Sequence, residues 1–521
     1  MENSTSEYNH KSSGILFDKE IVILFIFILI SLTISFYPVH YGYFRDELYY
    51  IALSKHLAWG YIDVPPLMPF CIAIMGKLFG YSLTAIHILP ALIGVIILIL
   101  TRSLVKKLGG GVFAQVLALT CMTFAPIYDV QLSTVTYDIF NRLFWVLAIY
   151  SVVCLLKTDN KKYWIYFGIF AGLGAMSKFD MFWLGGGIVI ALILTNHRRN
   201  FLRKELWLGA LIAFLILLPY LIWIVKTNFL TLQYFINYSH ETAPINFISF
   251  FKAQFTAMNM ISLPVWLVGL YYFIFNRTGK TYRLMGITYL AIAVLCVAMQ
   301  TKFYVITPFY FILYVGGAVY IDKITSKQKL IWLKTIYCCL IIIGGLIMLP
   351  AVRPILPVNT AVKYISYIMP PSKRIATEDW KPSALPQILA DRFGWKEMTA
   401  KVAKIYYSLP EKQRINTYIY TSNYGEASGI AFYRKKYKLP MPLSEHLQYY
   451  VWGYRGADKK STFIVTGWSK NALKSFFEKV NKAGQINSRY GMQYENRPIY
   501  LCKGLKIPIG KFWQKNIDMH M

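Results

Sequence analysis

Acidic residues, histidine and usefully spaced cysteine are scarce in this 521-residue chain: 25 Asp and Glu stand against 55 Lys and Arg, with 8 His and 7 Cys. The cysteines, Cys71, Cys121, Cys154, Cys296, Cys338, Cys339 and Cys502, lie almost all in apolar runs, at spacings that give neither a disulfide framework nor a metal cluster. The C-terminal third has no Gly-rich phosphate cradle, no zinc spacing and no nucleophile elbow. No small-residue cleavage site follows the first apolar run, so that run reads as a retained span rather than a signal peptide. No inverted repeat of the transporter kind is visible. These absences remove nucleotide hydrolases, zinc enzymes, serine hydrolases and disulfide scaffolds from consideration.

What is present is apolar. With 56% hydrophobic residues over such a length, the chain is a polytopic α-helical membrane protein rather than a soluble domain. Runs long enough to span, or nearly so, occupy 21–37, 82–101, 112–128, 139–156, 163–176, 179–195, 206–225, 261–275, 284–299, 303–321 and 330–349, about eleven spans, with 163–176 the shortest. Residues 1–20 form a polar tail, 21–349 a transmembrane domain, and 350–521 a soluble domain of mixed α/β type. In that domain 417–421 and 461–466 read as strands, 396–408 and 470–482 as helices, and 422–427 as a strand-to-helix turn. The net charge of +30, about half of it after Pro350, suits an anionic lipid surface better than nucleic acid.

Sixteen basic residues fall in the short loops after even-numbered spans, and seven in the longer loops opposite. The positive-inside rule then places the N-terminus in the cytoplasm and both the 38–81 loop and the C-terminal domain outside. In that first outer loop, Arg45, Asp46 and Glu47 sit where a helix begins, so the two carboxylates meet the positive end of its dipole and stay ionised near neutral pH. The apolar spacing of Leu48, Ile51, Ala52 and Leu57 reads as a short amphipathic helix in the membrane interface, with Tyr49, Tyr50, Trp59 and Tyr61 at headgroup depth. Gly60 and the Pro65-Pro66 pair turn the chain afterwards. The aromatic-rich 226–260 segment reads as an interfacial flap.

Three submotifs occur here in order: Arg45-Asp46-Glu47-Leu48-Tyr49-Tyr50, His56-Leu57-Ala58-Trp59-Gly60-Tyr61 and Pro65-Pro66-Leu67. At these residues the chain resembles bacterial glycosyltransferases of the protein-mannosyltransferase type (family 39), within the integral-membrane C-type superfamily, including those that add galacturonic acid or aminoarabinose to lipopolysaccharide. The resemblance implies a polyprenyl-phosphate sugar donor, an acidic pair in the first outer loop whose Asp is the catalytic base, an acidic residue in the second outer loop, and a lysine at two span mouths near the donor phosphate. Asp46 and Glu47 match the pair, Asp138 the second-loop acid, and Lys178 and Lys302 the lysines. Relatives that modify lipid A carry Lys before the Pro-Pro pair, where this chain has Val64.

The residues alone admit plainer roles beside these. Glu47 either orients substrate or a metal, or pairs with Arg45. Lys178 and Lys302 either hold a phosphate, with Arg45, or snorkel to headgroups. Asp138 either contacts substrate or caps a span. Tyr304, Tyr424 and Glu426 either bind substrate or, for the last two, close a turn. His56 and His87 read as hydrogen-bonded structural residues. The expected activity is inverting transfer of a sugar from a polyprenyl phosphate to a lipid, glycan or protein acceptor of the cell envelope at the outer face of a bacterial plasma membrane. The rival class is a transporter or lipid flippase. No cofactor is called for, and a divalent metal is left open.

Overall fold

The computed structural model describes residues 19–36, 41–241, 246–326, 331–374, 381–491 and 493–519. Most of the expected N-terminal tail, and Lys327 and Lys329 of the basic loops, lie outside the described residues.

In chain order the helices of the membrane part are α1 (Lys19–Ser35), α2 (Arg45–Ser54), α3 (Leu67–Phe79), α4 (Leu83–Lys107), α5 (Val112–Thr123), α6 (Pro126–Ser133), α7 (Tyr137–Thr158), α8 (Tyr163–Ala175), α9 (Met181–Ile193), α10 (Lys204–Lys226), α11 (Leu230–Glu241), α12 (Phe247–Ala257), α13 (Leu263–Ile274), α14 (Arg283–Ala298), α15 (Tyr310–Ile324) and α16 (Ile331–Val352). Each apolar run of the sequence became helix. Among the described residues six helical segments are long and apolar enough to cross a membrane, and nine if each bent pair is one span. One of the three bent pairs has a proline at its joint: Pro126 cannot continue the ladder of α5, and the pair turns by 61° there. A count of eleven additionally needs α1 and the 13-residue α8 to cross.

The bundle packs α8 on α10 and α13 on α15 through glycine. A Cβ at Gly168 would collide with the Gly209 carbonyl, and one at Gly269 with that of Leu313, so these backbones touch directly. The 226–260 segment forms α11 and α12 rather than a loop.

Beyond α16, an amphipathic helix α17 (Val358–Ile368) leads to a four-stranded sheet of order β1-β2-β4-β3, with β1 (Thr417–Thr421), β2 (Thr462–Thr466), β3 (Phe477–Gln485) and β4 (Pro498–Leu505). β1 and β2 run parallel, Thr417 opposite Thr462, joined by a crossover that contains the helix Tyr424–Tyr437. β4 pairs antiparallel with both neighbours. The helix expected over 470–482 stops at Phe476. From Phe477 the chain pairs with β4, Phe477 opposite Leu505, and this non-local ladder overrides the helical spacing of Leu473, Phe476 and Val480.

α2 is buried in protein rather than presenting an apolar face to a membrane interface. It is wedged between α3 and the helix Tyr424–Tyr437 of the C-terminal domain. Tyr49, Tyr50 and Tyr61 are 1%, 3% and 0% exposed, and only Trp59 of the expected headgroup quartet is open. Leu48 belongs to the C-terminal core, with Trp395, Met398, Ile419 and Ile430. The first loop is thus the joint between the two parts of the molecule.

Candidate active site

The first turn of α2 sends three neighbouring charged side chains to three different places. Glu47 turns inward and is fully buried. Its Oε2 accepts from the Phe44 amide at 2.9 Å, and its Oε1 accepts from the Val135 amide at 2.8 Å and meets His87 Nε2 at 2.7 Å. Burial alone would raise its pKa, but His87, Arg392 and the Val135 amide outweigh that and hold it below the usual carboxylate value. Glu47 is therefore a clamp joining the first loop to α4 and the entry of α7. It lines neither cavity described below, and its ion-pair partner is His87 rather than Arg45. The structural role expected for His87 is the one observed.

Arg45 turns toward the C-terminal domain. Its Nη1 donates to Tyr494 Oη at 2.6 Å, its Nε lies 3.6 Å from Asp391, and its guanidinium stands 5.2 Å from the Tyr424 ring centroid. This orientation places it in a polar cavity of about 200 Å³ with Tyr424, away from the lysines with which a phosphate role had grouped it. Asp46 lies between, its side chain 25% exposed. Its Oδ1 accepts from Tyr424 Oη at 2.7 Å and sits 3.7 Å from Arg45 Nε.

A second cavity, of about 480 Å³, opens on the other side. Lys178 and Lys302 both line it, with Tyr304, as expected, among aromatic walls that include Trp183, Phe235 and Tyr238. Lys178 is ion-paired twice, with Asp138 and with Asp180, each at 2.7 Å, and stands 4.9 Å and 4.8 Å from the Tyr137 and Tyr304 rings. Burial works to lower its pKa, but the two carboxylates hold it well above the usual lysine value. Asp138 is thus the counter-ion of Lys178. The Lys302 ammonium lies 4.3 Å from the Tyr238 ring centroid.

Asp63, which sequence reasoning passed over, lines this cavity too. It accepts from Tyr49 Oη at 2.7 Å, and burial, aided by the Asp46 charge, pushes its pKa up to about 7. The two cavities are connected through protein: Asp46 to Tyr424, the Tyr424 ring to the Tyr49 ring at 4.9 Å, and Tyr49 to Asp63. Asp63 stood in the open, two residues before Pro65-Pro66, and Asp180 two after Lys178. Their signal was proximity to residues already singled out.

Glu426 belongs to neither cavity wall. Fully buried, it accepts from the Ser422 amide at 3.0 Å and from the Ser422 and Thr466 hydroxyls at 3.1 Å each, so it braces the turn between β1 and the following helix. Its neighbour Tyr424 is the one that faces the site. Among the described residues no three His, Cys, Asp or Glu side chains converge as a metal-ligand set.

Residues 63–223, from Asp63 through Lys178, match the family model described as dolichyl-phosphate-mannose-protein mannosyltransferase. Among solved structures, the chain aligns with ArnT from Cupriavidus metallidurans in the apo state at a TM-score of 0.58 and 13% identity, over 92% of this chain and 97% of that one. The chain shares the fold of ArnT along nearly its whole length. The same ArnT bound to undecaprenyl phosphate aligns at a TM-score of 0.56 and 11% identity, over 93% and 97%. The likeness extends further, to the archaeal oligosaccharyltransferase AglB from Archaeoglobus fulgidus, in complex with an inhibitory peptide and a dolichol-phosphate, at 0.50 and 13% over 81% of this chain and 64% of that one. No curated protein matches the chain.

Proposed function

We propose that the protein is a glycosyltransferase that moves a sugar from a polyprenyl phosphate to a cell-envelope acceptor on the outer face of a bacterial plasma membrane. In this reading the N-terminus is cytoplasmic and the C-terminal domain lies outside among anionic lipids. The observation that carries the reading is the pair of lysines in one aromatic-walled cavity beside the Asp46 turn. An isoprenoid phosphate needs apolar walls for its chain and cations for its head, and that cavity offers both.

The chemistry follows from charge. As the bond from C1 to the phosphate oxygen breaks, positive charge grows on the sugar and negative charge on the phosphate. Lys302, with Lys178 behind it, stabilises the departing phosphate. Asp138 and Asp180 hold Lys178 in place in the cavity wall. Asp46, oriented by Tyr424 and Arg45, takes the proton of an acceptor hydroxyl as it attacks C1 from the opposite face, which inverts the anomeric centre. Asp63 holds a donor hydroxyl in the lysine-bearing cavity. If the acceptor were itself a phosphate, no proton would need removal and Asp46 would orient it.

The test is release of polyprenyl phosphate from a labelled polyprenyl-phosphate sugar by the detergent-purified full chain. Asp46→Asn keeps the shape and removes the charge, and is expected to lower turnover ~10²- to 10⁴-fold with the fold intact. Near-wild-type turnover by that variant would overturn the assignment, and no release by the wild-type chain from any such donor would overturn the function.

A further inference from the structure

The reading above uses the larger cavity and leaves the smaller one unexplained. That cavity is built almost wholly from the C-terminal domain and closed by Arg45, and it meets the site through Arg45 and Tyr424, both of which contact Asp46. Its walls are polar and balanced: Arg45 and Arg497 face Glu495 and Asp518, with Asn423 and His446 between them. Fully buried Glu426 stands directly behind, through Ser422, and Asp391 behind Arg45.

The walls are also fixed before any ligand arrives. Asn423 Nδ2 donates to Glu495 Oε1 at 3.2 Å, Arg497 donates to the Tyr494 and Gly467 carbonyls at 2.8 Å and 3.2 Å, and His446 Nδ1 accepts from the Tyr424 amide at 3.2 Å. Gly467, at φ 78°, leaves one wall bare, and a Cβ there would collide with Ser422. Such preorganised, alternating donors and acceptors cost little to reorganise on binding.

Building on the transferase reading, we infer that this cavity is the acceptor subsite and that it takes one uncharged, hydroxyl-rich sugar ring rather than a phosphate. Size sets the single ring, because about 200 Å³ falls below the ~300–1,000 Å³ of sites that enclose larger ligands. Charge sets the class. A phosphate entering here would face Asp518, with Asp391 behind, against Arg45, whose charge is shared with Asp391 and Asp46, and Arg497, which already donates to the Tyr494 and Gly467 carbonyls. A sugar hydroxyl both donates and accepts, and finds a partner for each role. Burial, with the Glu426 charge beside it, pushes the Glu495 carboxyl well above its usual value. In the reaction the acceptor hydroxyl oxygen forms its bond to donor C1, its proton passes to Asp46, and the C1–O bond to phosphate breaks with its electron pair leaving on the phosphate.

The experiment uses the full chain in detergent and three probes: methyl hexopyranosides, inorganic phosphate and glucose 1-phosphate. In a Ser422→Cys variant, thiol labelling of position 422 is read by mass spectrometry. A methyl hexopyranoside is expected to slow it at least tenfold, while phosphate leaves it unchanged. Adding Glu495→Gln should raise the protecting concentration severalfold. With the wild-type chain and labelled donor, the same hexoside should convert released free sugar into disaccharide, whereas glucose 1-phosphate should not. Protection by phosphate-bearing probes alone, or by none, overturns the inference, as does disaccharide formation confined to glucose 1-phosphate. The two levels separate cleanly: donor cleavage without hexoside protection removes this subsite and keeps the transferase, and protection without donor cleavage does the reverse.

Discussion

Asp63 holds its proton to about pH 7 in the folded chain, whereas an unfolded chain releases it near its ordinary value of 3.8. Between those values the folded state binds the extra proton, so this group's contribution to stability falls as pH rises and levels off above 7. Asp63→Asn has no such dependence. The difference in unfolding temperature, variant minus wild type, is therefore expected to grow from pH 4 to 7 in a detergent melt and then stay flat; a constant difference would contradict the burial described. The lysines separate in the same way. Lys302→Ala should raise the apparent KM for donor with little change in melting. Lys178→Ala also strands Asp138 and Asp180 beside each other, and should lower both donor use and melting temperature. Steady-state kinetics beside melts check both. Asp46 stood out in the sequence through its ordered submotifs, and Lys178 and Lys302, with Tyr304 beside the latter, through the scarcity of charge in their loops; the structure puts the two lysines and Tyr304 on one cavity and Tyr424 against Asp46. Glu47 and Glu426 look no different from Asp46 in one dimension. Their interior positions depend on His87, Val135 and Thr466, which no local pattern connects to them.

At the scale of elements, α2 does more than carry a carboxylate. Through Glu47 it is tied to His87 on α4 and to the backbone before α7, and through Leu48 and Tyr49 to the C-terminal domain. Leaving a buried carboxylate without a hydrogen-bond partner costs about 1–3 kcal/mol or more, so His87→Ala should lower thermal stability while leaving donor KM near wild type in whatever protein stays folded. A loss of turnover without a loss of stability would return Glu47 to the catalytic group. The apolar face of α2 was visible from its spacing, but its partner was not. A membrane interface and a protein domain arriving some 380 residues later ask for the same pattern, and only the tertiary fold tells them apart. The strand β3 was missed for a like reason, since its partner β4 lies beyond a further turn. The apolar runs, β1, β2 and the turn after β1 were readable because each is decided by neighbouring residues.

The whole molecule rests on its orientation. A cysteine at Leu57, which is exposed, should react in intact spheroplasts with a membrane-impermeant thiol reagent, and one at Thr158 or Thr278 only after the membrane is opened. Ser54, at 4% exposure, would report falsely. Labelling of Thr158 from outside would turn the molecule over and take the proposed acceptor with it.

α8 and α9 are 13 residues each, about 20 Å of helix at 1.5 Å per residue, against ~30 Å of hydrocarbon in an ordinary bilayer. With Lys161 and Lys162 at one surface, as the proposed orientation requires, the turn that bears Lys178 would stop short of the other, below the level a full span would reach. Lipid around these two helices must thin, or the turn must sit under the headgroups, and either adjustment costs fractions of a kcal/mol per Å of mismatch. In the proposed reading, the anionic head of the donor lipid would meet Lys178 at that depth without rising fully into water. Acyl-chain length should then act on the reaction directly: in nanodiscs of 14-carbon lipids donor use should exceed that in 22-carbon lipids, and Lys178, rather than Lys302, should be the residue on which the difference depends.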